Sequence, residues 1–250
     1  MTLGRSLGNA CLWGGLRRLA LWSVLGSMVL LQACATVASP DSRDPIESFN
    51  RSVFGFNDVV DKAVLKPVAT AYRGVVPDMV RKGVGNFFGN LEDFWSAINN
   101  GMQLRGRDMG DNLGRFMVNT TMGLGGVMDV ASDLNIERHP GNFGVTLGRW
   151  GVRPGPYVVL PLLGSYTLRE VVAIPVDQQG NLVSQIPVEG TRTGLTVLNA
   201  VDTRAKYLRA GDVVEGAALD RYSFTRDAYF QRQRNQQYDG NPPEEDGTEP

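Results

Sequence analysis

One cysteine in this chain stands where covalent chemistry can be read from spacing alone. Cys34 closes Leu31-Gln32-Ala33-Cys34, directly after an apolar run and directly before small polar residues. A cysteine one residue after alanine at the end of Leu-x-Ala is the pattern of a bacterial lipoprotein, whose thiol becomes a lipid-bearing thioether when the leader is cut away. Residues 1–33 have the parts of that leader: Arg5, Arg17 and Arg18 at the front, a 13-residue apolar core from Leu19 to Leu31, and small Ala33 before the cut. A membrane span needs about 20 apolar residues, so this run is too short to remain as one. The competing reading, an ordinary signal peptide with an incidental cysteine, leaves the placement of Cys34 unexplained. Several acyl chains on Cys34 hold a protein on a membrane where a single chain does so only marginally. Ala35 is uncharged, whereas an Asp there is the familiar inner-membrane retention signal, so the address resembles that of the outer membrane, periplasmic side.

Other reactive constellations are sparse. His139 is the single histidine and sits in the polar turn Glu137-Arg138-His139-Pro140-Gly141. A Ser-His-Asp arrangement would rest on it alone, and no Gly-x-Ser-x-Gly elbow is present. With Cys34 acylated and Cys11 removed in the leader, no thiol is left for zinc or a disulfide. No phosphate-binding loop or dinucleotide fingerprint occurs, and Glu92-Asp93 read as exposed helix charges. The chain reads as a non-enzyme without metal or cofactor. Removing the leader leaves 217 of 250 residues and 22 basic against 26 acidic side chains, a net charge of −4. That balance argues against nucleic acid as a partner.

Glycine supplies the remaining signal. Gly123, Gly125 and Gly126 cannot continue a helix cheaply. Their neighbours Met122, Leu124, Val127 and Met128 are apolar and adaptable, suited to acyl chains. Residues 122–130 therefore read either as a candidate hinge beside a lipid path or as a fixed turn. Gly106, Gly110 and Gly114, at four-residue spacing, read as close helix packing.

The elements that would position these groups are mostly helical. Asp44-Pro45-Ile46-Glu47 reads as a capped helix start, followed by Phe49, Val53, Phe56, Val60 and Val64 on one face. Phe87, Leu91, Phe94 and Ile98 mark a second helix and residues 108–121 a third. Thr167-Leu168-Arg169-Glu170 is a capping box, Leu195 to Leu208 a further helix, and Arg221 to Gln237 the last. Strand-like alternation is scarce. Residues 34–43 read as a lipidated tether, 44–238 as one helical domain, and 239–250 as a disordered acidic tail.

Several motifs in order resemble the MlaA (VacJ) family of outer-membrane lipoproteins. They are Asp44-Pro45-Ile46-Glu47-Ser48-Phe49-Asn50-Arg51, Asn86-Phe87-Phe88-Gly89-Asn90-Leu91, and Arg115 to Gly123. Phe143 to Gly151, Gly155 to Pro161 and Arg226 to Arg232 continue the series. The resemblance implies a mainly α fold: a single helical domain forming a ring-like body of amphipathic helices, with few or no strands, lying in the inner leaflet of the outer membrane. Some apolar faces, Phe56 among them, would then meet lipid instead of a core. It also implies phospholipids as cargo, a trimeric outer-membrane porin as partner, and a periplasmic phospholipid carrier of the MlaC type as acceptor. Residues 173–185 depart from the family's pattern. A purely structural envelope lipoprotein, or a lipid-modifying hydrolase with His139 as base, are the alternatives.

Overall fold

The computed structural model describes residues 41–238 and Gly240. The leader 1–33, Cys34 with the tether through residue 40, and the acidic tail other than Gly240 lie outside the described residues. Helix α1 (Glu47–Val60) passes through a π-helical turn, Asp61–Leu65, into α2 (Lys66–Val75). The wide turn has a local cause. Pro67 has no N–H to give and its ring crowds the carbonyl one turn earlier, which a π-turn relieves. The long α3 (Asp78–Met102) starts after Pro77 and pairs with α4 (Gly106–Thr121) as a helical hairpin. Short helices α5 (Val130–Asp133) and α6 (Phe143–Arg149) follow, capped by the side chains of Asp129 and Asn142.

The only sheet among the described residues is a hairpin of β1 (Tyr157–Leu160) and β2 (Gly164–Thr167), antiparallel, with Tyr157 opposite Thr167. Its turn needs left-handed backbone at Leu162 (φ 64°) and Gly164 (φ 92°). The free side of β1 is satisfied by a helix instead of a third strand. Asn50 on α1 donates to the Tyr157 carbonyl at 2.9 Å and accepts from the Val159 amide at 2.9 Å. One heptad on, Asn57 does the same for Leu160 and Leu162. Then come α7 (Leu168–Gly180), opened by the capping box that Thr167 and Glu170 form, and a 3₁₀ turn, Leu182–Gln185. Helices α8 (Glu189–Lys206), α9 (Leu208–Ala217) and α10 (Arg221–Gln237) complete the body.

The fold is mainly α, as the sequence implies, but α1 begins differently. It starts at Glu47 after Ile46, so Asp44 is not its N-cap. Asp44 is fully buried, where it accepts from Asn50 Nδ2 (2.7 Å), from the Tyr222 hydroxyl, and from Arg226 Nη1 (3.4 Å). Partnered by a guanidinium and a phenol, a carboxylate gains more than one amide at a helix end offers. This contact ties the first described residues to α10. Arg43, placed in the tether by the sequence, lies over the Phe230 ring and accepts from the Tyr157 amide through its carbonyl. Tyr157, Tyr222, Tyr229 and Phe230 form the aromatic cluster beneath.

What this body buries is unusual. Among the described residues 18 polar or charged side chains are buried against 14 apolar ones, while 33 large apolar side chains are exposed. Scattered surface leucines are ordinary, but buried polar groups on this scale are not. No helix among the described residues is long and apolar enough to cross a membrane. The distribution suits a protein whose surroundings are partly hydrocarbon and whose polar groups must find one another inside.

Candidate functional site

The α3–α4 hairpin is joined by a polar seam. Along α3, Asn90, Asp93, Ser96 and Asn100 fall on one face; along α4, Asp108, Asn112, Arg115 and Asn119 do the same. At its centre the Arg115 guanidinium, 3% exposed, reaches Asp93 Oδ2 at 3.3 Å, Asp129 Oδ1 at 2.7 Å and the Ile136 carbonyl at 2.6 Å. Arg138 closes on Asp93 from the other side at 2.8 Å. Burial pushes the Asp93 carboxyl above its usual range, against the pull of Arg138 and Arg115. Burial also acts to raise Asp129, but hydrogen bonds from Ser132, Asn119 and Arg115 outweigh it and hold it at about 2. Asn112 brackets the His139 backbone, accepting from its N–H at 3.0 Å and donating to its carbonyl at 2.6 Å. The seam fixes the loop 129–142, and that loop forms one wall of a cavity.

The cavity encloses about 450 Å³ between α3, the 140–145 segment, α7, α8 and the end of α10. Phe88, Leu91, Trp95, Val145, Ile174 and Leu195 supply apolar wall; Asn142, Gln178, Asn181, Asn199 and Gln236 supply amides. Three carboxylates face it: Glu92, Glu170 and Asp177. Asp177 accepts from Trp95 Nε1 at 2.7 Å and from the Phe143 amide at 2.8 Å, which seats α6 against α7. Gly180 passes so close to the Trp95 indole that a Cβ there would sit 2.1 Å from it. A volume of this order, half apolar with a few fixed polar groups, is that of a small-molecule or headgroup site.

A family model described as MlaA lipoprotein matches residues 42–236. The chain belongs to the MlaA lipoprotein family. It is 37% identical over 219 residues to the intermembrane phospholipid transport system lipoprotein MlaA of Shigella flexneri, covering 83% of this chain and 84% of that one. The Escherichia coli K12 protein of the same name matches at the same identity and coverage. An uncharacterised protein of Rickettsia bellii is 34% identical over 200 residues, 79% of this chain and 78% of its own. Among solved structures, one described as the structural basis for maintenance of bacterial outer membrane lipid asymmetry superposes with a TM-score of 0.68 at 37% identity. It covers 79% of this chain and 99% of that one.

In this MlaA-family chain the residues singled out by sequence fall in separate places. Met122, Leu124, Val127 and Met128 are all exposed and share one apolar turn after α4. Phe56 is exposed on α1, apart from them, and none of the five lines the cavity. The glycine turn is held at several points. The Gly125 amide donates to the Thr120 carbonyl, Gly126 to Asn119 and Met128 to Gly123, while Asn86 Nδ2 reaches the Val127 carbonyl. Gly125 and Gly126 have φ of 73° and 93°, and a Cβ on Gly126 would meet the Asn90 side chain at 2.6 Å.

Two expectations are corrected. Asp93 is not an exposed helix charge but one of the most buried groups in the chain, because Arg115 and Arg138 close over it. Gly106, Gly110 and Gly114 have nothing within 4 Å of a would-be Cβ, so they do not serve close packing among the described residues. His139 lies in a loop, as the sequence reads, with its Nε2 3.3 Å from Asp111 Oδ2. The cavity itself escaped the sequence reading. Its signal was the departure from the family's pattern over residues 173–185, which includes five of its lining positions.

Proposed function

We propose that this protein removes phospholipids that have strayed into the outer leaflet of the outer membrane and passes them inward to a periplasmic carrier of the MlaC type, so preserving lipid asymmetry. Cys34 carries the lipid anchor, and the body sits in the inner leaflet beside a trimeric porin. The observation that carries this reading is the amphipathic cavity inside a body that hides its polar groups and exposes its apolar ones. A phospholipid crossing a leaflet needs a wetted, hydrogen-bonding path for its headgroup and an apolar border for its chains. The cavity's amides supply the first and its Phe, Trp and Leu wall the second. The names of the relatives support the same cargo. Lipid passage of this kind makes and breaks no covalent bond. The exposed turn 122–128, with Gly123, Gly125 and Gly126 as candidate hinge, would contact acyl chains next to the path. A swing of that turn must break the three backbone hydrogen bonds that hold it.

The test is to fill the cavity without touching the seam. Thr196, on α8 at the cavity wall, is changed to Trp in the chromosomal copy, and outer-leaflet phospholipid is measured by an exposed-lipid acylation assay. Accumulation matching that of a deletion strain, with normal amounts of protein in the outer membrane, is the expected result. Wild-type asymmetry in a variant whose cavity is verifiably filled would refute the path.

A further inference from the structure

We infer that the cavity selects phospholipids whose headgroup carries an ammonium, such as ethanolamine, over anionic headgroups, and that Glu92 is the residue that reads the charge. This rests on the proposed lipid path and adds to it a preference among cargoes.

The argument begins with what faces the space. Its titratable lining consists of three carboxylates and Tyr166, with no lysine, arginine or histidine among the lining residues. Two of the carboxylates are already engaged. Glu170 Oε2 accepts from the Thr167 amide at 3.0 Å, from its hydroxyl, and from the Tyr229 hydroxyl. Asp177 holds Trp95 and the α6 N-terminus. Glu92 makes no hydrogen bond and no ion pair to any described residue, yet it lines the cavity. The cations nearest to it are committed elsewhere: Arg138 to Asp93 at 2.8 Å, and Lys206 to Asp202 at 2.7 Å. Glu92 is exposed as a residue, but protein packed around its carboxyl raises it, and Asp93 adds to that, while Arg138 and Lys206 oppose it. Glu92 is exposed to the cavity and has no partner to give up, so a cationic ligand group entering there gains a charge-assisted contact at no loss of an existing one.

A zwitterionic headgroup fits both polar components. Its phosphate can accept from the amides of Asn142, Asn181, Asn199 or Gln178, and its ammonium can donate to Glu92. A headgroup with phosphate and no cation brings a second negative charge toward an unpaired carboxylate. The apolar wall of Leu91, Trp95, Ile174 and Leu195 makes the ligand a lipid and not a free amine.

The experiment uses the full, lipidated protein in detergent micelles doped with photoactivatable phospholipids. Two probes share identical acyl chains and differ only in an ethanolamine or a glycerol headgroup. Adducts on cavity peptides are counted by mass spectrometry. The expected preference for ethanolamine is about tenfold, the factor that one charge-assisted contact supplies in a partly wet site. Glu92→Gln, isosteric and without a bond to lose, should bring the ratio toward one, and Glu92→Lys should reverse it. Equal labelling in the native protein, or an unchanged ratio in Glu92→Gln, overturns the selection while leaving lipid passage standing. Absence of cavity adducts with either probe would instead defeat the lipid path, and the selection with it. Soluble phosphoethanolamine at the probe's concentration should not compete; if it does, the ligand is not the lipid.

Discussion

Arg115→Met should destabilise this protein more than any single apolar truncation on its surface. The guanidinium is 3% exposed and makes four polar contacts, to Asp93, Asp129, Ser132 and the Ile136 carbonyl. Removing one partner of a buried ion pair costs about 3–5 kcal/mol, because the other charge stays buried without it. Here the survivors keep some help. Asp93 retains Arg138 at 2.8 Å, and Asp129 retains Ser132 and Asn119. The lower end, about 3 kcal/mol, is therefore the expected loss. For a chain of this size that corresponds to a fall of about 6–12 °C in thermal midpoint. The assay is far-UV circular dichroism of the detergent-solubilised protein through its melting transition. The double variant Arg115→Met with Asp93→Leu should lose less than the sum of the two single changes, since neither charge is then stranded. A fall of under about 2 °C for Arg115→Met would mean that water reaches the seam, and the argument for a dry polar interior would fail.

Other outcomes follow from the same geometry. Asp129 is held at about 2 in the folded protein, below its ordinary value of 3.8. As pH falls below about 4 the unfolded chain takes up the proton first, so this stability is complete above pH 4 and lost toward pH 2. Asp129→Asn should be less stable at neutral pH and should flatten that acid slope in denaturant titrations; an unchanged slope would exclude Asp129 as its source. Gly126→Ala should cost more than Gly125→Ala by thermal melting, because both have positive φ but only Gly126 abuts Asn90; the strain alone is worth about 1–3 kcal/mol. Cys34→Ser should leave the protein unlipidated, uncleaved or mislocalised, as read by mass spectrometry of the N-terminus, and the unlipidated body should still require detergent. The hinge proposal for Gly123, Gly125 and Gly126 predicts slowed lipid transport when Gly83→Cys and Val127→Cys are oxidised together, with recovery on reduction. A Cβ at 83 would lie 2.9 Å from Val127 Cγ1, and unchanged transport under a verified crosslink would assign those glycines to a fixed turn.

The helices were largely legible because their signals are local. The Thr167–Glu170 capping box and the bounds of α10 emerge where the sequence places them. The interior was not. Phe49 and Phe56 mark a face of α1, and the same helix carries Asn50, which is wholly buried, while both phenylalanines are exposed. The spacing that reveals the seam was present: Asn90, Asp93 and Asn100 on one helix, and Asp108, Asn112, Arg115 and Asn119 on the next, each set at helical period. Such residues read as solvated in water, whereas here the polar stripe turns inward. The cavity depends on residues from segments scattered between α3 and α10, and no local pattern encodes their convergence.

The seam also sets an order of events in the life of the molecule. Unpaired amides and a bare guanidinium cannot enter hydrocarbon without great cost. On the proposed placement in a leaflet, the α3–α4 hairpin and the loop it grips must therefore close while water is still at hand, before the apolar outside is surrendered to lipid. On the same proposal, the protein between those moments would carry an oily exterior through an aqueous compartment and would need that surface shielded there. A weakened seam would accordingly be noticed first during delivery, as chains that never arrive, and only afterwards in the traffic of those that do.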